Sequence, residues 1–120
     1  MESGIYYYDF INDDLIQMEY GNMRSIIGRL NFQNEFSIYS NFVVAIVSDL
    51  SRILPKYYKR AYRMVHVDAG IALSYLQIIG EYVGVSSCIV AGFLENELER
   101  LLCLSRDDYP IATMAFGIKS

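Results

Sequence analysis

Residues 58–82 read YKRAYRMVHVDAGIALSYLQIIGEY, and this stretch decides the fold. Its polar side chains recur at Lys59, Arg63, His66, Ser74, Gln77 and Glu81, with Gly70 at the missing step. Those intervals trace one narrow stripe at the period of an α-helix. Tyr62, Val65, Val67, Ala69, Ala72, Leu73, Leu76, Ile79 and Tyr82 fill most of the remaining surface with apolar groups. The spacing predicts a helix from Tyr58 to Tyr82, roughly 37 Å long and largely buried. Gly70 costs on the order of 1 kcal/mol of helix propensity; the close approach of a helix or ligand accounts for it, as does a chance small residue. Gly84 is placed to end the helix as a C-cap, and Pro55 suits its beginning rather than its interior.

Outward from the helix, the pattern turns to strands. Phe42-Val43-Val44-Ala45-Ile46-Val47 is a continuous, mostly β-branched run, predicted as a central strand. Residues 48–55 connect it to the helix, with at most one helical turn. Ser86 to Ala91 predicts a strand, Gly92-Phe93 a turn, and Pro110 to Phe116 a last strand. Glu95 to Leu102 predicts a short helix with Leu94, Leu98, Leu101 and Leu102 inward and two early acids at its N-terminus. Near the start, Ile5 to Phe10 and Leu15 to Tyr20 predict an antiparallel pair turned at Asp13 and Asp14. Asn22 is placed to cap a helix through Leu30, with Ile26, Ile27 and Leu30 inward. Residues 31–40 give no clear pattern. The expected fold is α+β, with residues 1–120 as one domain and a sheet packed on a long central helix.

Composition sets further bounds. The 120 residues are enough for one core without disulfide staples. Hydrophobic residues make up 53% and charged residues 20%, an apolar balance that predicts cover by a partner or a second copy. A tyrosine-rich, well-packed core is the alternative. The net charge of −4 argues against nonspecific nucleic-acid binding. Residues 1–20 hold five acids and no base, whereas residues 52–63 hold Arg52, Lys56, Lys59, Arg60 and Arg63 and no acid. This basic segment suits a phosphate, a flavin or an acidic peptide, or is a solvated face. Cys88 and Cys103 lie in apolar sequence and imply neither a disulfide framework nor a metal site. The sole histidine, His66, reads as structural or solvated. No secretory signal is legible, and every long apolar stretch is interrupted by charge, so the cytoplasm is the expected location. Hydrolase, dinucleotide and Walker motifs are absent.

Three stretches in order carry a resemblance: Gly4-Ile5-Tyr6-Tyr7-Tyr8-Asp9; Lys56 to Arg63 running into Asp68-Ala69-Gly70; and Gly84 to Phe93 followed by Leu101-Leu102 and Leu104. Together they resemble the C-terminal portion of the nitroreductase-like FMN flavoenzymes, nearest to the azoline dehydrogenases that oxidise peptide thiazolines and oxazolines to azoles. The resemblance implies a nitroreductase-like partial domain, with a dimeric or complementary chain across the flavin site. It also implies FMN as cofactor and a modified peptide as substrate. By the same likeness Lys56 and Tyr57 match the family's catalytic Lys-Tyr pair. One of the two would accept a proton and the other orient or stabilise charge, which requires neighbours that lower a pKa. Val90, Ala91, Gly92 and Phe93 match the segment beside the flavin ring, where backbone N–H groups and a missing Cβ allow close approach. Arg60 and Arg63 are expected as cofactor-binding cations, and no metal is implied. The family's arginine-rich, phosphate-gripping portion has no counterpart here; Arg24 stands alone. Ile89 replaces the family's proline, Ala91 and Ser86 its glycines, Ile71 its histidine, and Ser74-Tyr75 its Gln-Asn pair. Those departures keep open a second expectation, a noncatalytic structural or binding subunit without the phosphate site.

Overall fold

The structure, a computed structural model, describes residues 1–32 and 35–118. An antiparallel hairpin comes first, β1 (Gly4–Asp9) with β2 (Asp14–Tyr20). Helices α1 (Arg24–Leu30) and α2 (Glu35–Tyr39) follow, then strand β3 (Phe42–Asp49) and helix α3 (Leu50–Tyr57). A 3-10 turn at Tyr58–Arg60 leads into α4 (Ala61–Tyr82), followed by β4 (Val85–Val90), α5 (Glu95–Leu101) and β5 (Asp108–Ile118). The α+β expectation holds, with a long central helix, and both sheets are antiparallel throughout.

The main sheet has the order β3-β5-β4, which corrects one expectation. The β-branched run at 42–49 forms an edge strand, and the last strand is central. Strand β5 reads Pro110-Ile111-Ala112-Thr113-Met114-Ala115-Phe116, and Ala112 through Phe116 are all buried. Burial on both faces is what a central strand requires, and mixed small and large side chains meet it as well as a β-branched run does. Phe42 stacks on its cross-strand partner Phe116, ring centroids 4.7 Å apart. Pro110 fits a central strand because the register slips there: Ile46 pairs with Ala112 and Val47 with Pro110. On the other side β4 pairs only from Thr113 onward, so no ladder bond needs the missing N–H.

Alternation along β5 sends its side chains into two layers. Ala112, Met114 and Phe116 pack with Leu73 of α4, joined by Val44, Ile46, Leu76 and Val85. The opposite layer centres on Leu30, Phe93 and Leu98, with Ile26, Ile27, Leu94, Leu101 and Leu102 around them. No residue of the hairpin belongs to either cluster.

Helix α4 departs from its expected burial and start. It buries Ala61, Val65, Ala69, Leu73 and Gly80, a single line at helical spacing. A second apolar line, Val67, Ile71, Tyr75, Ile78 and Tyr82, lies in solvent. Periodicity reports which positions share a face; it does not report whether this chain supplies a cover for that face. The helix begins at Ala61, not Tyr58, because Tyr58 takes φ 51° and interrupts the helical path. The segment before it is also helical: α3 extends two turns and holds Pro55 inside. Gly84 does turn the chain, at φ 85°. Gly70 has no neighbour within 4 Å of where a Cβ would stand, so no contact within the chain requires it. Gly80 differs: its Cβ would come 3.0 Å from the Val85 carbonyl oxygen, where α4 crosses the start of β4.

Smaller boundaries shift by a residue or two. The N-cap of α1 is Met23 rather than Asn22, whose side-chain oxygen accepts from the amide of Arg24, the first helical residue, at 2.9 Å. Cys88 and Cys103 are unpaired, and Cys103 is exposed rather than apolar-packed. The unassigned span 31–40 contains α2, with residues 33–34 outside the described residues. Among the described residues, no helix is long and apolar enough to cross a membrane.

Candidate functional site

The basic segment is built by the junction of α3 and α4. Asp49 caps α3: its carboxylate accepts from the Ser51 hydroxyl at 2.5 Å and from the Ser51 amide at 3.1 Å. Arg52 adds an ion pair at 3.2 Å. The Ser51 hydrogen bonds, with a further contribution from Arg52, hold the Asp49 carboxyl below its ordinary range. A carboxyl lowered on folding stabilises the fold above its unfolded value of about 3.9, and that contribution is lost as pH falls through the lowered folded value. Acid titration is therefore expected to fray α3 below about pH 4 in the parent chain. Asp49→Asn should flatten this dependence; identical acid profiles for parent and variant in α3 amide exchange would remove the cap from the account.

Lys56 and Tyr57 close α3. Lys56 is exposed, Tyr57 is half-buried, and the Lys56 Nζ lies 5.3 Å from the Tyr57 ring centroid. Arg60 and Arg63 are exposed on either side of the start of α4. Among the described residues, neither they nor Lys59 has a carboxylate within ion-pair distance, since the ion pairs found are Arg29–Glu97 and Arg52–Asp49. The start of α4 is pinned to β5 through His66. Its Nδ1 lies 2.5 Å from the Tyr62 carbonyl oxygen, so Nδ1 carries the proton and Nε2 faces the Tyr109 hydroxyl at 3.3 Å. Tyr109 also makes an edge contact with the Tyr62 ring at 5.7 Å. His66 is a structural clamp in this geometry.

The Val90–Phe93 segment lies where β4 leaves the sheet. Val90 and Phe93 are buried, and Ala91 and Gly92 between them are exposed. Phe93 is fixed against Leu30 and Leu98, and the Leu94 amide donates to the Leu30 carbonyl at 2.8 Å. The loop is thus anchored at both ends with its middle backbone open. A Cβ on Gly92 would meet nothing closer than the Phe32 ring at 3.9 Å.

A second set of polar groups stands behind this loop. The Thr113 hydroxyl donates to the Val90 carbonyl at 3.0 Å. Asn31 Nδ2 donates to the Thr113 hydroxyl at 3.3 Å and to the Ser37 hydroxyl at 2.7 Å. Sequence reasoning missed these three residues. The available signal was Thr113, a lone hydroxyl in the apolar run 110–116, but its partners lie in a span without periodicity.

The two expected parts of the site occupy different layers. Lys56 to Arg63 lead into α4 on one face of the sheet, whereas Phe93 packs on the other with α1 and α5. Among the described residues no hydrogen bond, ion pair or ring contact joins Lys56, Tyr57, Arg60 or Arg63 to residues 90–93. Open surface depressions occur along the hairpin, at Tyr6, Tyr8 and Asp13, and beside α5, at Asn96, Arg100 and Cys103; neither includes a candidate residue. No group of three His, Cys, Asp or Glu among the described residues could hold a metal ion.

Comparison with known proteins gives this geometry a context. The profile of the Nitroreductase family matches residues 15–118. A candidate nitroreductase of Anabaena variabilis superimposes with a TM-score of 0.92 at 25% identity, covering 100% of this chain and 25% of that one. A candidate nitroreductase of Ralstonia eutropha matches at TM-score 0.82 and 17% identity, over 98% of this chain and 54% of that one. A chain of the E. coli microcin synthetase McbBCD complex, solved with truncated pro-MccB17 bound, matches at TM-score 0.84 and 20% identity, over 96% of this chain and 44% of that one. The last two show the fold alone. The chain spans between a quarter and about half the length of these structures. No curated protein matches it.

Proposed function

Because the chain belongs to the Nitroreductase family, we propose that it is one component of an FMN-dependent oxidoreductase resembling the azoline dehydrogenases, completed by a complementary chain or a second copy. The observation that carries this reading is the open backbone at Ala91-Gly92, held between buried Val90 and buried Phe93. A loop anchored at both ends, with the exposed Gly92 lacking a Cβ, suits the edge of a flavin ring. The loop residues fit the ring; the phosphate requires cations from elsewhere, with Arg60 and Arg63 adding charge from this chain.

The exposed apolar line Val67, Ile71, Tyr75, Ile78 and Tyr82 supports completion by a partner. A peptide-modifying context is supported by the likeness to a chain of the microcin synthetase complex; the substrate would be a thiazoline or oxazoline peptide and the setting the cytoplasm. Bound FMN would supply the hydride acceptor. Tyr57 in its phenolate form would take a proton from the substrate and become a neutral phenol, with the Lys56 ammonium beside it to balance the phenolate charge beforehand. Residues 90–93 would exclude water from one side of the ring.

A second reading, a noncatalytic subunit, is favoured by one observation. Lys56 and Tyr57 make no contact with residues 90–93, so this chain alone does not assemble both parts of the site. The visible spectrum separates the readings. The chain purified with its complementary chain should show a bound-flavin band, and Gly92→Leu should abolish it. A colourless complex at saturating FMN would exclude the flavoenzyme and leave the structural subunit.

A further inference from the structure

The polar groups behind the loop form a relay whose direction is fixed. The Val90 carbonyl can only accept, so the Thr113 hydroxyl donates to it. The Thr113 oxygen then receives one Asn31 amide proton, and the other goes to the Ser37 hydroxyl oxygen. Turning the Asn31 amide over would place its oxygen on both hydroxyls and draw the Thr113 proton away from Val90. Ser40 secures the far end by donating to the Ser37 carbonyl at 2.9 Å.

All three members are almost fully enclosed: Thr113 is 0%, Ser37 1% and Asn31 2% exposed. The Asn31 Oδ1 is left without a hydrogen-bond partner. An apolar packing of α1, α2 and β5 would avoid that cost, so the polar relay has a use other than stability. Its end point is the last residue of β4, immediately before the exposed Ala91-Gly92 backbone.

We infer that Asn31 and Thr113 are positioning residues: through the Val90 carbonyl they set the conformation of the 90–93 loop from the α1–α2 side. The inference rests on the reading of this loop as the ring-facing segment only for its catalytic consequence, not for the relay itself. Both are buried, so neither is open to a ligand. Each acts through the loop, as groups behind a site orient those that line it.

The test uses the full chain and three substitutions. Thr113→Val removes the hydroxyl at nearly constant shape, Thr113→Ser keeps it, and Met114→Ala loosens the opposite layer as a control. By NMR, Thr113→Val should lower the order parameters of Ala91 and Gly92. It should also speed Leu94 amide exchange about tenfold relative to the β4 amides, the order expected from one lost buried hydrogen bond. Thr113→Ser should restore both, and Met114→Ala should change neither relative measure. Uniform loosening in Thr113→Val, or an unchanged loop, would overturn the relay. If Thr113→Val does not fold, Ser37→Ala takes away the Asn31 partner at the far end and should still loosen the loop; no loosening there also overturns it. A separate arm titrates FMN into the assembled protein. Thr113→Val should weaken binding about tenfold and Thr113→Ser should restore it. A loosened loop with unchanged FMN binding would refute the loop's cofactor role while leaving the relay intact.

Discussion

Met114→Ala is expected to lower the unfolding free energy of the chain by about 2–5 kcal/mol. Met114 is fully buried in the central strand, at the contact of β5 with α4. Removing its side chain costs the transfer of the lost groups and leaves a cavity. Leu73 and Phe116 border that space. They are held by a helix and a strand, so neither can collapse far into the gap, and the loss should fall well above that of a surface change. Urea unfolding reads the effect as a shift of midpoint at unchanged slope. A loss below about 1 kcal/mol would mean that α4 does not pack on the sheet as described.

The second large effect follows from the proposed function. In the flavin-loaded assembly, replacing Tyr57 by Phe or Lys56 by Ala should reduce turnover by roughly 10²–10⁴-fold, the usual range for a positioned acid–base group. The yellow colour should remain, because neither residue belongs to the loop proposed to face the ring. Loss of colour together with activity would instead place these side chains at the cofactor or in the fold. Full turnover in Tyr57→Phe would remove the proton-acceptor role from Tyr57. The two variants are read separately because Lys56 and Tyr57 are adjacent and their effects are not additive.

Much of the fold was legible in local pattern. The hairpin itself, the amphipathic α1 and α5, and the stop at Gly84 each depend on side chains near in sequence; the hairpin's turn falls at residues 10–13, with Asp14 already paired to Asp9 in β2. The strand order was not legible, because β3 and β5 both present apolar runs of similar strength. Pairing decides which is central: β5 meets β3 on one edge and β4 on the other. The break at Tyr58 was hidden as well. A residue held at positive φ by its neighbours leaves no mark on a periodicity that continues through it.

The candidate site divides in the same way. Gly92, the basic segment and the Lys56-Tyr57 pair stood out as residue types, and a resemblance attached roles to them. The relay of Asn31, Ser37 and Thr113 did not stand out, since Asn31 and Thr113 are 82 positions apart and join only through space.

By itself, the sequence of residues 58–82 determined a long helix with one polar stripe, since the 3.6-residue period depends on local geometry alone. Only the tertiary structure decided that one apolar line of that helix meets Met114 and Phe116 while the other faces solvent. Burial is a property of what packs against a surface, and the chain brings one sheet to α4. Its second apolar line stays exposed on this chain.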